Sequence, residues 1–204
     1  EEEAVPGERC ASEELRLHTA GLVCNLAGVG DSWKVLDELG KPAVLAALLA
    51  ILRGRDYQLR SNALSALNNL ARSDVNKVGI GRTEGCLETL AGLLRSTNSE
   101  ERGKACLLVY YVSLALSNAA ALGQMEGGGI LATLVTLATS DSACDQVANS
   151  LAALGVLARN AANAKVLASP DTLPSLLLHL TDTIRRAALS SAPPASDAAT
   201  RAPG

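Results

Sequence analysis

The chain has 204 residues, 48% of them hydrophobic, 19% charged and only 2% aromatic, with no Phe and a net charge of −3. That balance supplies a continuous core but no basic face to offset phosphates, which argues against a nucleic-acid binder. The apolar stretch from Ala43 to Leu52 is far too short to span a bilayer.

Five cysteines (Cys10, Cys24, Cys86, Cys106 and Cys144) are odd in number and widely scattered. They read as small buried thiols in a reducing compartment, not as a disulfide framework or a zinc site. The start, Glu1-Glu2-Glu3, is acidic where a secretory signal is basic and then apolar. The expectation is a soluble chain, cytoplasmic or in another reducing compartment, with cilium or organelle as alternatives. A targeting peptide removed ahead of residue 1 is left open.

In chain order, residues 1–12 read as an acidic N-terminal segment. From residue 13 a pattern repeats. A Leu-Ala ending recurs at 25–28, 69–72, 113–116 and 156–159, with its leucines at Leu26, Leu70, Leu114 and Leu157. The steps are 44, 44 and 43 residues. Each ending closes a helical pattern, and the spacing predicts long helices near 13–28, 57–72, 100–116 and 143–159. Their expected starts, Ser12-Glu13-Glu14, Asp56, Ser99-Glu100-Glu101 and Ser142, carry side chains that accept bonds from first-turn amides or favour the positive helix end.

After each long helix comes a short segment (31–39, 74–81, 118–126 and 162–169). A medium, leucine-rich helix follows it (41–54, 85–96, 128–140 and 171–182), with Leu87, Leu131 and Leu173 in corresponding places. Beyond Leu180, TDTIRRAALSS predicts a short capping helix within 183–204, followed by an Ala/Pro/Ser-rich disordered tail. A unit of long, short and medium helix with a period just over 40 residues cannot bury its apolar stripe alone, so neighbours must stack.

The string ALSALNNLARSDVNKVGIGRTEGCLETLAGLL resembles the armadillo repeat: an Ala/Leu helix ending in Asn-Leu-Ala, a connector, a Gly-led turn and a leucine helix. DTLPSLLLHL is similar to that family's leucine segment, with Asp171 where the family has Gly. The resemblance covers residues 13–182. It implies an all-α fold, a right-handed superhelical α-solenoid of about four three-helix repeats with incomplete terminal repeats.

The resemblance also implies that the long helices line a concave groove. Importin-alpha relatives carry Trp four residues before an Asn there. The Asn positions here are Asn25, Asn69, Ser113 and Val156, and the Trp positions are Gly21, Ser65, Val109 and Ala152. With no Trp among them, an importin-like groove for basic signals is not expected. Adding the residues one further turn back gives a candidate stripe of His18, Gly21 and Asn25, then Asn62, Ser65 and Asn69. Cys106, Val109 and Ser113 follow, then Asn149, Ala152 and Val156. Arg72 and Arg159, one turn beyond, suit acidic partner side chains. The amides at Asn25, Asn62 and Asn69 suit an extended peptide backbone, and they equally suit bracing of the repeat itself.

GIGRTEG at 79–85 is not a phosphate loop, because no strand precedes it and no Lys-Ser/Thr follows. His18 and His179 belong to different repeats, with no nucleophile or ligand set beside them. No enzyme, cofactor, metal or small-molecule substrate is expected. The expected function is a protein-protein interaction scaffold that binds an extended peptide or helix. The alternatives are a structural subunit of a large assembly, axonemal or organellar, and a chaperone cofactor such as an Hsp70 nucleotide exchange factor. Other proteins are the expected partners, without nucleic acid or membrane insertion.

Overall fold

A computed structural model describes residues 6–29, 33–125, 129–140 and 144–190. These residues form twelve helices, and no strand occurs among them. They run α1 (Pro6–Gly28), α2 (Trp33–Leu39), α3 (Pro42–Leu52), α4 (Tyr57–Leu70), α5 (Asp74–Arg82) and α6 (Cys86–Leu93). Then follow α7 (Ser99–Ser113), α8 (Leu116–Gly123), α9 (Gly129–Ala138), α10 (Cys144–Leu157), α11 (Ala161–Leu167) and α12 (Leu173–Ser190). Four sets of three helices follow one another; the first of each set is the longest except in the last, where α12 (18 residues) exceeds α10 (14 residues).

The long helices α1, α4, α7 and α10 lie side by side in one row. The short helices α2, α5, α8 and α11 make a second row, and α3, α6 and α9 a third. Between the rows runs one continuous core from Ala27 to Leu176, with Leu49, Leu64, Leu67, Leu90, Leu108, Ile130 and Leu134 buried in it. Burying a leucine of this kind contributes about 2 kcal/mol, so the stack is held chiefly by aliphatic burial.

A buried amide recurs at the start of each short helix after the first. Asn76 Nδ2 donates to Leu36 O of the previous repeat (2.9 Å) and to Leu70 O at the end of its own long helix (3.1 Å). Asn118 does the same with Lys77 O (2.8 Å) and Val112 O (3.1 Å), and Asn163 with Ala119 O (2.9 Å) and Leu157 O (3.1 Å). Each amide lies against a glycine of the previous short-helix end, namely Gly40, Gly81 and Gly123, where a Cβ would overlap the amide. The glycines of GIGRTEG thus have structural work: Gly81 receives Asn118, and Gly85 (φ +66°) leaves room for the Arg53 guanidinium.

This ladder fixes the register and corrects two sequence expectations. The residues equivalent to Leu70 and Leu157 include Val112, not Leu114, which is the half-buried C-cap of α7. Leu26 is out of line too, 43% exposed beside the fully buried Ala27. Ser113-Leu114-Ala115 forms the turn into α8, matching Ala71-Arg72-Ser73 and Ala158-Arg159-Asn160. Ser-Leu-Ala imitates the Asn-Leu-Ala ending two residues too late. The second correction concerns helix starts. α1 begins at Pro6, so Ser12-Glu13-Glu14 lies inside it, because proline is well suited to a first helical turn. In α7 the N-cap is Asn98, whose Oδ1 accepts from Glu101 N (3.1 Å), and Ser99 is already helical.

Asp56 caps α4 as expected, accepting from Leu59 N (2.7 Å). Ser142 and the tail 191–204 lie outside the described residues. No glycine or proline separates Leu180 from Ser190, and α12 runs through without a break where a separate capping helix was expected.

Polar contacts tie the second and third repeats together. Arg60 Nε meets Glu101 Oε1 at 2.5 Å, with the Glu101 side chain only 2% exposed. Arg60 Nη1 also donates to Gly54 O (3.0 Å) and Arg55 O (2.8 Å), covering the open end of α3. Arg102 repeats the device, reaching Ser96 O (2.7 Å) past α6 and Gln146 Oε1 (3.2 Å) on α10. A buried carboxylate held this way is costly to orphan: Arg60→Ala removes about 3 kcal/mol.

Candidate binding surface

The row of long helices presents a face on which each helix contributes side chains at matching heights. On α4, Asn62, Ser65 and Asn69 are half-buried. Asn69 Nδ2 donates to Cys24 O of α1 (3.1 Å), and Asn62 Oδ1 accepts from Gln58 Nε2 (3.3 Å). Gly21 and Gly28 of α1 leave space for the Asn62 and Asn69 amides. Of the two roles expected for Asn69, bracing is the one its amide nitrogen performs. On α1, His18 and Asn25 are exposed, and His18 Nε2 lies 3.7 Å from Glu14 Oε1.

On α7 the register slip changes the site. Cys106, Val109 and Ser113 are each 0% exposed, so they face the core instead of a partner. Burial pushes the Cys106 thiol above its usual range, and the sulfur accepts from Ser150 Oγ (3.3 Å). Two residues earlier in each case stand Lys104, Leu107 and Tyr111, all half-buried, and these occupy the face. The missed signal was the short-helix asparagine, which aligns Val112 with Leu70 and shifts every α7 position. On α10, Asn149 and Val156 are half-buried and Ala152 is exposed, and Arg159, in the turn after α10, is exposed as well.

Lys104 ties the face together, with Nζ 2.8 Å from Glu100 Oε1 and 2.7 Å from Ser61 Oγ of α4. Tyr57 Oη donates to Glu100 Oε2 (2.7 Å). The Lys104 hydrogen bond, then that of Tyr57, holds the Glu100 carboxyl below its usual range, while the same bond raises the Tyr57 hydroxyl. Tyr110 packs on Tyr111 with ring centroids 5.4 Å apart.

Two clefts mark the trough between α7 and α10. One, of about 290 Å³, lies at the helix starts among Glu100, Lys104, Leu107, Gln146 and Asn149. The other, of about 300 Å³, lies at the helix ends among Leu114, Leu116, Val156 and Arg159. Larger clefts occur off this face, one of about 700 Å³ between the α2–α3 corner and α5, over Pro42, Leu45 and Val75. The other, of about 600 Å³, lies between α1 and α3, over Leu15, Ala47 and Ile51. Neither was read from the sequence.

His179 is half-buried on α12. Burial drives the Cys86 thiol up to about 12 and raises Cys24 as well. Among the described residues no group of three or more His, Cys, Asp and Glu could share a metal ion, and no helix is long and apolar enough to cross a membrane.

No family model and no curated protein matches the sequence. Solved structures do match. One engineered protein, a structural-genomics target, has a TM-score of 0.64 at 23% identity, covering 78% of this chain and 68% of that chain. A second engineered protein gives 0.62 at 19% identity, covering 81% and 63%. A designed armadillo repeat protein in complex with the peptide (KR)4 gives 0.61 at 16% identity, covering 86% and 66%. This chain spans about two thirds of their lengths. At such identities the likeness is one of fold, and the fold is the armadillo-type α-solenoid that the sequence resembles.

Proposed function

We propose that this armadillo-type solenoid is a non-enzymatic protein-binding scaffold whose long-helix face takes an extended peptide or helix of a partner. The observation that carries the reading is the repetition of half-exposed side chains at matching heights on successive helices. Asn62 and Ser65 of α4 are followed by Lys104, Leu107 and Tyr111 of α7, then by Asn149, Ala152 and Val156 of α10. A chain laid across the row meets a similar step at each helix, which suits a segment with its own regular rise. That a designed protein of this fold is described in complex with a peptide supports the same class of partner. Its peptide is strongly basic, whereas the side chains here are mostly neutral, so the partner chemistry differs.

A second reading, a structural subunit of a larger assembly, is favoured by the apolar side chains at both ends of the stack. Leu15 and Leu22 on α1 and Leu178 and Ile184 on α12 are all more than half exposed. Apolar surface grouped this way suits permanent neighbours.

The scaffold reading is tested by panning the immobilised chain against random dodecapeptides. Enriched peptides should lose about tenfold or more in affinity on Leu107→Glu, because a charge would meet the apolar step. They should be indifferent to Thr136→Glu on the exposed side of α9. Absence of enrichment, or equal loss from both variants, contradicts it.

A further inference from the structure

We infer that the cleft between the α7–α8 and α10–α11 corners takes an aliphatic side chain of the partner, with a carboxylate one or two residues along the same segment seated on Arg159. This rests on the scaffold reading above and adds the chemistry of one subsite.

The corner where a long helix turns into a short one differs sharply between repeats. In the second repeat it is polar and internally satisfied: Ser73 Oγ donates to Asp37 Oδ1 (2.7 Å), and Asp74 pairs with Lys77 at 2.5 Å. In the third repeat Leu114 stands where the second has Arg72, and Leu116 where it has Asp74. In the fourth the same places hold Arg159 and Ala161. Leu114, Leu116, Val156 and Ala161 therefore converge on one cleft of about 300 Å³, enough for an aliphatic side chain.

A single exposed leucine needs no explanation, but Leu116, 75% exposed beside a cleft, is an apolar wall with nothing against it among the described residues. The only charge in the lining is Arg159. No acidic residue lines the cleft, and among the described residues the guanidinium has no hydrogen-bond or ion-pair partner. An exposed guanidinium beside Leu114, Leu116 and Val156, in a cleft whose remaining polar lining is the neutral Ser113 and Asn160, is complementary to a carboxylate, which it can bind through two parallel bonds. Val156 belongs both to the cleft and to the long-helix face, so a segment lying on that face enters the cleft without leaving its path.

The test uses the whole chain and an array of immobilised decapeptides in which one aliphatic residue and one Asp, Asn or Lys are moved independently through a Gly/Ser background. The expected result is retention of peptides with Leu, Ile or Val followed within two residues by Asp, weakened about tenfold when Asp becomes Asn. Arg159→Glu should invert the preference to Lys at that place while keeping the aliphatic one. Leu116→Asp should remove the aliphatic preference. Both side chains are exposed, and circular dichroism confirms that each variant keeps its helices. Peptides that bind with no acidic preference, and identically to Arg159→Glu, overturn the subsite while leaving the scaffold reading intact. Retention of no peptide by the unaltered chain overturns both.

Discussion

Asn118 shows how much one side chain decides in this fold. Its amide nitrogen joins three elements: α5 through Lys77 O, α7 through Val112 O, and α8, which carries it. The fit depends on Gly81, whose missing side chain is what the amide occupies. Asn118→Ala removes both bonds and leaves a void beside Gly81, and is expected to cost about 2–3 kcal/mol in a urea titration. Gly81→Ala should cost a similar amount, since the amide is pinned by both its bonds and cannot step aside. The double variant should cost little more than Asn118→Ala alone, because removing the amide makes room for the new methyl. Additive losses would show that the two residues do not meet.

The contact among Tyr57, Glu100 and Lys104 gives a pH signature. The folded-state pKa of Glu100 is lowered, so its contribution to stability is present above the unfolded value of about 4.3 and is lost as pH falls through the folded one. Tyr57 is raised, so its contribution is present below about 10 and lost at higher pH. Urea midpoints of the unaltered chain and of Glu100→Gln should differ at neutral pH and converge in acid below about pH 4. A gap of constant size across that range would contradict the contact. At this scale the sequence was only partly legible. An asparagine followed five residues later by glycine occurs at Asn76 and Asn118 and marks the ladder, but it is a spacing without chemistry of its own until two helices face each other.

Among elements, helix order was legible because Leu/Ala-rich segments recur at a period just over 40 residues and most of them are bounded by short polar turns. Register was legible only where burial separates one residue from its neighbour. Leu70 and Leu157 are wholly buried at equivalent positions, whereas Leu114, picked by the same Leu-Ala pattern, sits in a turn. Substitution by alanine should therefore cost about 2–5 kcal/mol at Leu70 and Leu157 and about 1 kcal/mol or less at Leu114. Equal losses at all three would restore the register with Leu114 in line. The slip also turns Cys106, Val109 and Ser113, which the Leu-Ala spacing puts on the outer face, into the core. Moved by two residues, a helical position turns through more than half a circle, from partner-facing to core-facing.

At the scale of the whole molecule, the stack places four long helices in a row, and every position on the proposed binding face follows from that row. Composition and repeat period carried this architecture, because units that cannot bury their own apolar faces have few ways to assemble. They could not carry the partner, whose chemistry depends on which side chains stay exposed once register and corners are fixed. The most direct measurement of the central claim is amide hydrogen exchange on the chain alone and saturated with a peptide selected by panning. Added protection should fall on α4, α7 and α10, centred on Ser65, Leu107 and Ala152, with α3, α6 and α9 unchanged. Protection confined to the medium helices, or to the cleft over Pro42 and Val75, would mean that the long-helix face is not where this protein meets its partners.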